Sequence, residues 1–242
     1  MPMMGPQVAP ASTDSLMMAA RQALSGHAAE DVAALENQIK GLRDSARMAP
    51  LFDSLGHVWQ QHKQLYAAAY ARENAARLAN SEKSLNFAGQ FYLDVARLPA
   101  SPQVQQWAVT GAIRSFDQAL AINPTNDTTK LALAAAYIDG AGEVMQGVAI
   151  LKEITAKEPD NIPANLMLGR MSIQSGQLDK AVTRFETVLK KEPENREALY
   201  FLAEAYRGKG DKNKAVATLD KLKKIVNDPS FSKDIDDYIK TF

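Results

Sequence analysis

Reactive chemistry in this 242-residue chain would have to be assembled with three histidines, no cysteine and scattered carboxylates. The lack of cysteine removes disulfide frameworks, Cys-ligated zinc, iron–sulfur clusters and thiol nucleophiles. His57 and His62 share neither an i,i+4 pairing nor a nearby carboxylate pair with ligand spacing, so no metal site is expected. Gly140-Ala-Gly142 lacks both a preceding strand and a phosphate-loop lysine, which makes it a turn between helices. From Arg207 to Lys224 seven basic residues face two acidic ones, but no aromatic stacking platform accompanies them. A solvated convex face explains that run better than a nucleic-acid or lipid surface. Lys+Arg and Asp+Glu are both 28, so the chain as a whole is no polybasic binder. No catalytic residue, cofactor, metal or nucleic-acid partner is expected; what remains is the chemistry of surfaces.

The elements that would position such surfaces are all helical. Apolar residues recur at three and four, as in Val32, Leu35, Ile39 and Leu42, or Leu219, Leu222 and Val226. That spacing lays a stripe along one helix face, and no useful window shows the period-two alternation of a strand. No run of 18 apolar residues exists, so no membrane span is expected. Residues 1–12, rich in Pro and Met, lack the charged and apolar regions of a signal peptide and read as a disordered lead-in. Such a start is also what trimming an anchor or signal leaves, so the compartment stays open: cytoplasm, or periplasm and membrane tether.

A repeat organises the rest. Asn123-Pro-Thr-Asn126, Glu158-Pro-Asp-Asn161 and Glu192-Pro-Glu-Asn195 are variants of one boundary, with prolines 35 and then 34 residues apart. Gly147, Ala181 and Ala215 keep the 34-residue step, as do Leu151, Phe185 and Leu219. Each proline ends a helix and each following Asn can cap the next. Small residues such as Ala134, Gly169 and Ala203 mark close helix approaches.

These columns resemble the tetratricopeptide repeat, Trp-x2-Leu-Gly-x2-Tyr, Ala-x3-Phe and Pro. One unit reads Asn165-x2-Leu168-Gly169-x2-Ser172, Ala181-x3-Phe185 and Pro193; its neighbours contribute Leu202-Ala203-x2-Tyr206 and Leu133-Ala134-x2-Tyr137. Two looser copies begin at Phe52 and Leu85. The resemblance implies a right-handed α-solenoid with five units at about 49–81, 82–126, 127–161, 162–195 and 196–229. Residues 13–48 form an N-terminal helical pair and 230–242 a capping helix.

That family binds protein segments along a concave groove lined by the first helix of each unit, which implies a non-catalytic scaffold or adaptor with a protein or peptide ligand. Carried over position by position, the lining is Phe87 and Gln90; Leu131 and Ile138; Leu166, Met167, Arg170 and Gln174; and Tyr200, Phe201, Glu204 and Arg207. Asn86 and Ala135 stand beside them. The family's clamp for chaperone C-terminal carboxylates uses Lys and Asn where this chain has Leu131, Ala135, Leu166, Arg170, Tyr200 and Glu204, which argues against that ligand.

Eleven additional residues around Leu98-Pro-Ala-Ser-Pro102 predict that both helices of the second unit are longer by about one and a half turns, with Val104 and Trp107 near a projecting tip. There Trp107 is expected to pack on Phe91, Val95 and Leu98 and hold the extension together, in preference to offering a partner a ledge. One extra residue in the third unit is placed in the turn Asp139–Glu143. The alternative function is a self-assembling structural subunit of a cell-envelope complex, a homo-oligomer joined through residues 13–48. The basis is a short heptad from Ala28 to Ala46 that reads as a coiled-coil seam or as packing against the first repeat.

Overall fold

The computed structural model describes residues 9–241; most of the expected lead-in, residues 1–8, lies outside the described residues, as does Phe242. The described residues fall into two compact units that divide between Gly147 and Val148. The first holds α1 (Thr13–Gln22), α2 (His27–Lys40), α3 (Ser45–Gln61), α4 (Leu65–Leu78), α5 (Glu82–Ala96), α6 (Pro102–Ile122), α7 (Asp127–Ala135), a π-helical segment (Ala136–Ala141) and the first residues of α8 (Val144–Lys157). The second holds the remainder of α8, then α9 (Ile162–Gln174), α10 (Leu178–Lys191), α11 (Arg196–Gly208), α12 (Lys212–Val226) and α13 (Pro229–Ile239). Among the described residues there is no strand. The architecture is all-α, built from repeated helix–turn–helix hairpins with extra helices at both ends.

The boundary residues act as their types require. Asn126, Asn161 and Asn195 each accept a bond from the backbone N–H three residues on, at 3.1, 3.1 and 2.9 Å. Small residues admit the bulky ones opposite: a Cβ on Gly169 would lie 2.5 Å from the Phe185 ring, and one on Gly89 2.6 Å from Phe116. Ala134, Ala181, Ala203 and Ala215 are fully buried.

The eleven additional residues are shared unequally. Measured against α9, its turn and α10, α5 gains two residues, the turn two and α6 seven. Ser101 caps α6 and Pro102 starts it, which fixes where the second helix begins and leaves the surplus to that helix. Trp107 is 6% exposed rather than at a free tip. Its ring meets Tyr66 and Tyr92 edge-on, and its Nε1–H donates to Thr13 Oγ1 at 2.9 Å. Ala11 N–H donates to Gln103 O at 2.9 Å, so residues 11–13 run beside the start of α6.

The heptad stretch from Ala28 to Ala46 is divided between two helices. Gly41 ends α2, and Asp44, accepting from Ala46 N at 2.9 Å, starts α3. Val32 and Ile39 of α2 share an apolar cluster with Met17 and Ala20 of α1 and with Leu55 and Trp59 of α3. The heptad residues therefore pack inside the chain. At the other end Ile235 of α13 joins Leu199, Ala203 and Leu222, while Asp236, Asp237 and Lys240 face solvent.

Candidate protein-binding site

In the first unit α3 and α5 flank a groove of about 690 Å³, lined between them by Ala75 and Ala76 of α4 and by Ala79, which follows that helix. Asp53 of α3 stands on one wall; Lys83 and Phe87 of α5 form the other. Phe87 is 54% exposed, high for a phenylalanine. Beneath it Arg72 reaches out of α4 past Gly56, where a Cβ would lie 3.1 Å from Arg72 Cγ. The guanidinium carbon sits 5.2 Å from the centres of both Phe87 and Phe91, and the group donates to Gln60 Oε1.

Other residues named from sequence in this unit have local partners. Gln90 is exposed and donates to Asp94 at 3.1 Å, while Asn86 accepts from Thr129 at 2.8 Å, linking α5 to α7. Leu131 is half-buried. Ile138 is 8% exposed and packs where Gly147 lacks a side chain, so it faces into its hairpin.

Behind the groove lies a buried polar group. Glu73, 4% exposed, accepts from Tyr92 Oη at 2.7 Å and from Arg114 Nη2 at 2.7 Å, with a further bond from Arg114 Nε. Burial is the first cause that pushes the Tyr92 phenol far above its ordinary range, with the Glu73 charge second. The triad ties α4, α5 and α6 together and leaves no reactive group free.

In the second unit the α9 and α11 faces carry Leu166, Met167 and Arg170 beside Tyr200 and Phe201. Phe201 stacks on Phe185 at 5.9 Å and meets Tyr200 edge-on at 5.3 Å; Arg170 lies 5.8 Å from the Phe201 ring. Leu166 packs into the same cluster, Met167 is half-buried, and Gln174 is exposed. Tyr200 is 39% exposed. Glu204 and Arg207 are engaged from the C-terminal side. Tyr238 of α13 donates to Glu204, and Arg207 lies 5.2 Å from the Tyr238 ring and 2.8 Å from Glu204. Burial first, then the Glu204 bond, raises the Tyr238 phenol above its ordinary range.

Arg72 and Asp53 escaped sequence reasoning because the lining was assigned to first helices and then only from the second unit onward; Lys83 lies on a first helix but precedes the motif positions carried over, which begin at Asn86 and Phe87. Arg72 belongs to a second helix and passes close beside Gly56 to reach the groove.

Comparisons with known proteins place the fold. Residues 105–163 and 172–232 match the tetratricopeptide repeat model. Among solved structures, a MamA fragment from Desulfovibrio magneticus RS-1 is 17% identical with a TM-score of 0.58, covering 74% of this chain and 95% of that one. YrrB, described as a TPR protein with an unusual peptide-binding site, is 18% identical with a TM-score of 0.56, covering 84% and 98%. TTC0263, a thermophilic TPR protein of Thermus thermophilus, is 19% identical with a TM-score of 0.54, covering 80% and 100%. No curated protein sequence matches the chain. At these identities the solved structures speak for the fold, and the repeat model for the lineage: the chain belongs to the tetratricopeptide-repeat family.

Proposed function

We propose that this protein is a non-catalytic scaffold that binds a segment of a partner protein, as a helix or an extended peptide with Leu- or Phe-type anchors, on the first-helix faces of its repeats. The observation that carries the reading is the preformed groove of about 690 Å³ with Phe87 left 54% exposed on its wall. In the second unit Met167, Tyr200 and Phe201 offer a smaller apolar face of the same kind. The five hairpins over about 49–81, 82–126, 127–161, 162–195 and 196–229 carry these faces, with 13–48 and 230–242 as flanks. A peptide-binding site in the structurally similar YrrB gives the reading a precedent on this fold.

The test is selection of short random peptides on the full chain, followed by affinity measurement with Phe87→Asp and Met167→Asp. Loss of the selected peptides by variants whose helical circular dichroism and melting are unchanged supports the faces. Undiminished binding by both variants rejects them. The alternative of self-assembly through residues 13–48 has less surface to use, because Val32 and Ile39 are 3% and 8% exposed within the chain. Light scattering over a range of concentrations tests it: constant monomer mass disfavours it, and a mass that doubles restores it.

A further inference from the structure

The groove between α3 and α5 contains more than an apolar anchor. Arg72 is half-buried, yet its only polar contact among the described residues is the neutral amide oxygen of Gln60. Its Nε–H is shut off from solvent and finds no acceptor. Arg114, half-exposed beside it in the same unit, by contrast meets the Glu73 carboxylate with two of its nitrogens. A guanidinium carries five donors in a planar fork shaped for a carboxylate, and a buried donor without an acceptor is costly to leave so. Lys83, on the same side of the groove, also has no carboxylate partner among the described residues. The one carboxylate on the lining, Asp53, stands on α3, with Oδ2 3.7 Å from His57 Nδ1.

From this charge imbalance we infer that the groove selects an acidic, amphipathic peptide of a partner protein. An Asp or Glu of the peptide pairs with Arg72, and Lys83 adds longer-range attraction. A Leu, Met or Phe within a turn of that acid lies on Ala75 and Ala76 against Phe87. Phe87 and Phe91 hold the guanidinium in place by cation–π contact, so little side-chain freedom is lost on binding. The occupant is an internal acidic side chain next to an apolar anchor. Specificity thus comes from a second-helix arginine threaded past a glycine. This inference rests on the scaffold reading and adds the chemistry of the ligand.

The probe is a displayed library of short random peptides selected on the full chain, followed by synthetic peptides in matched pairs with each Glu replaced by Gln. Selected sequences are expected to carry Asp or Glu within a turn of an apolar anchor. The Glu-to-Gln change in the peptide lowers affinity for the native protein by about ten- to a hundredfold, the scale of one charge-assisted hydrogen bond. The variant Arg72→Met keeps an aliphatic stem beside Gly56 but loses the charge and with it the cation–π contacts. It binds the Gln peptide as the native protein does and gains less than about threefold from Glu, while Arg72→Lys retains part of the preference. A melting curve confirms that both variants fold. Peptides that need Phe87 but show no acidic preference overturn this inference and leave the scaffold reading standing. An acidic preference that survives Arg72→Met also overturns it. Selection indifferent to Phe87→Asp but lost with Met167→Asp also overturns this inference alone, while failure to select any peptide, or indifference to both variants, overturns both readings.

Discussion

Adding a single methyl group to Gly89 tests how tightly the hairpins are built. An alanine Cβ there would lie 2.6 Å from Phe116 Cε1 and 2.8 Å from Cδ1 and Cζ. Carbon atoms pack at about 3.5–4.0 Å, so the ring or the helix must retreat by roughly 1 Å. Phe116 is 1% exposed, so neighbouring side chains must move with it. Overpacking of this kind costs about 1–3 kcal/mol. The better helix propensity of Ala returns about 1 kcal/mol. Gly89→Ala is therefore expected to destabilise the first unit by about 1 kcal/mol or somewhat more. Both tryptophans, Trp59 and Trp107, are buried in that unit, so urea unfolding followed by tryptophan fluorescence reports on it directly. With a slope of about 1–3 kcal/mol per molar urea, a loss of about 1 kcal/mol lowers the midpoint by about 0.3–1 M. Gly41→Ala is the control: its Cβ would meet Gln38 O at 3.6 Å, an ordinary contact, at φ −79°, and its midpoint holds or rises. Pairing Gly89→Ala with Phe116→Leu, which removes the crowded ring atoms, should recover part of the loss. A midpoint for Gly89→Ala equal to or above the native value would refute the close-approach argument.

Three further outcomes follow from other contacts. Glu73→Gln removes the charge between Tyr92 and Arg114; because Arg114 is half-exposed the loss falls below that of a fully buried pair, at about 2 kcal/mol, read as a lower urea midpoint of the tryptophan signal. Thr13→Val removes the bond that anchors the start of α1 without emptying the buried Trp107 site, so limited trypsinolysis at Arg21 should accelerate severalfold while the melting temperature changes little. Tyr206 is pushed up to about 12, first by burial and then by its bond to Glu186, from an ordinary value of 10.0. Its neutral form is the one favoured by folding, so this stabilisation is whole below pH 10.0 and disappears as pH rises through about 12. Tyr206→Phe should flatten the alkaline loss of stability measured by urea unfolding at successive pH values.

What the sequence made legible is what acts over a few residues. The Asn caps at 126, 161 and 195 bond three residues along the chain, and the Ala and Gly columns repeat at a fixed step, so local rules sufficed. Contacts across long separations did not announce themselves. Trp107 finds Thr13 across 94 positions, and Arg114 reaches Glu73 across 41. Nothing in the spelling of α1 shows that it returns to the second hairpin. The groove was half legible: Phe87 stands at a family position, but Arg72 lies in a helix that counting assigns to the other layer, and only Gly56 hints that a side chain passes.

The third repeat shows how two oddities of sequence can be one feature of structure. Its extra residue can lengthen the turn or widen the helix before it, and the chain widens the helix: Ala136–Ala141 is π-helical. The segment closes with Gly142 left-handed at φ 70° and Glu143 N–H bonded to Tyr137 O at 2.8 Å. A wider turn advances each residue through a smaller angle, so side chains in it lag behind their equivalents in a regular repeat. Ile138 ends at 8% exposure, pointing into the hairpin, where its equivalent Ile173 is half-buried and Arg207 is exposed. The inward side chain needs room, and the facing column supplies it: Gly147 stands where the next two repeats have Ala181 and Ala215. A Cβ on Gly147 would lie 2.5 Å from Ile138 Cγ1 and 2.7 Å from Ala134 O. The insertion and the glycine are therefore coupled. Removing the extra residue while keeping Gly147 would leave a void where Ile138 now packs, and placing Ala at 147 while keeping the π turn would force Ile138 back toward the surface.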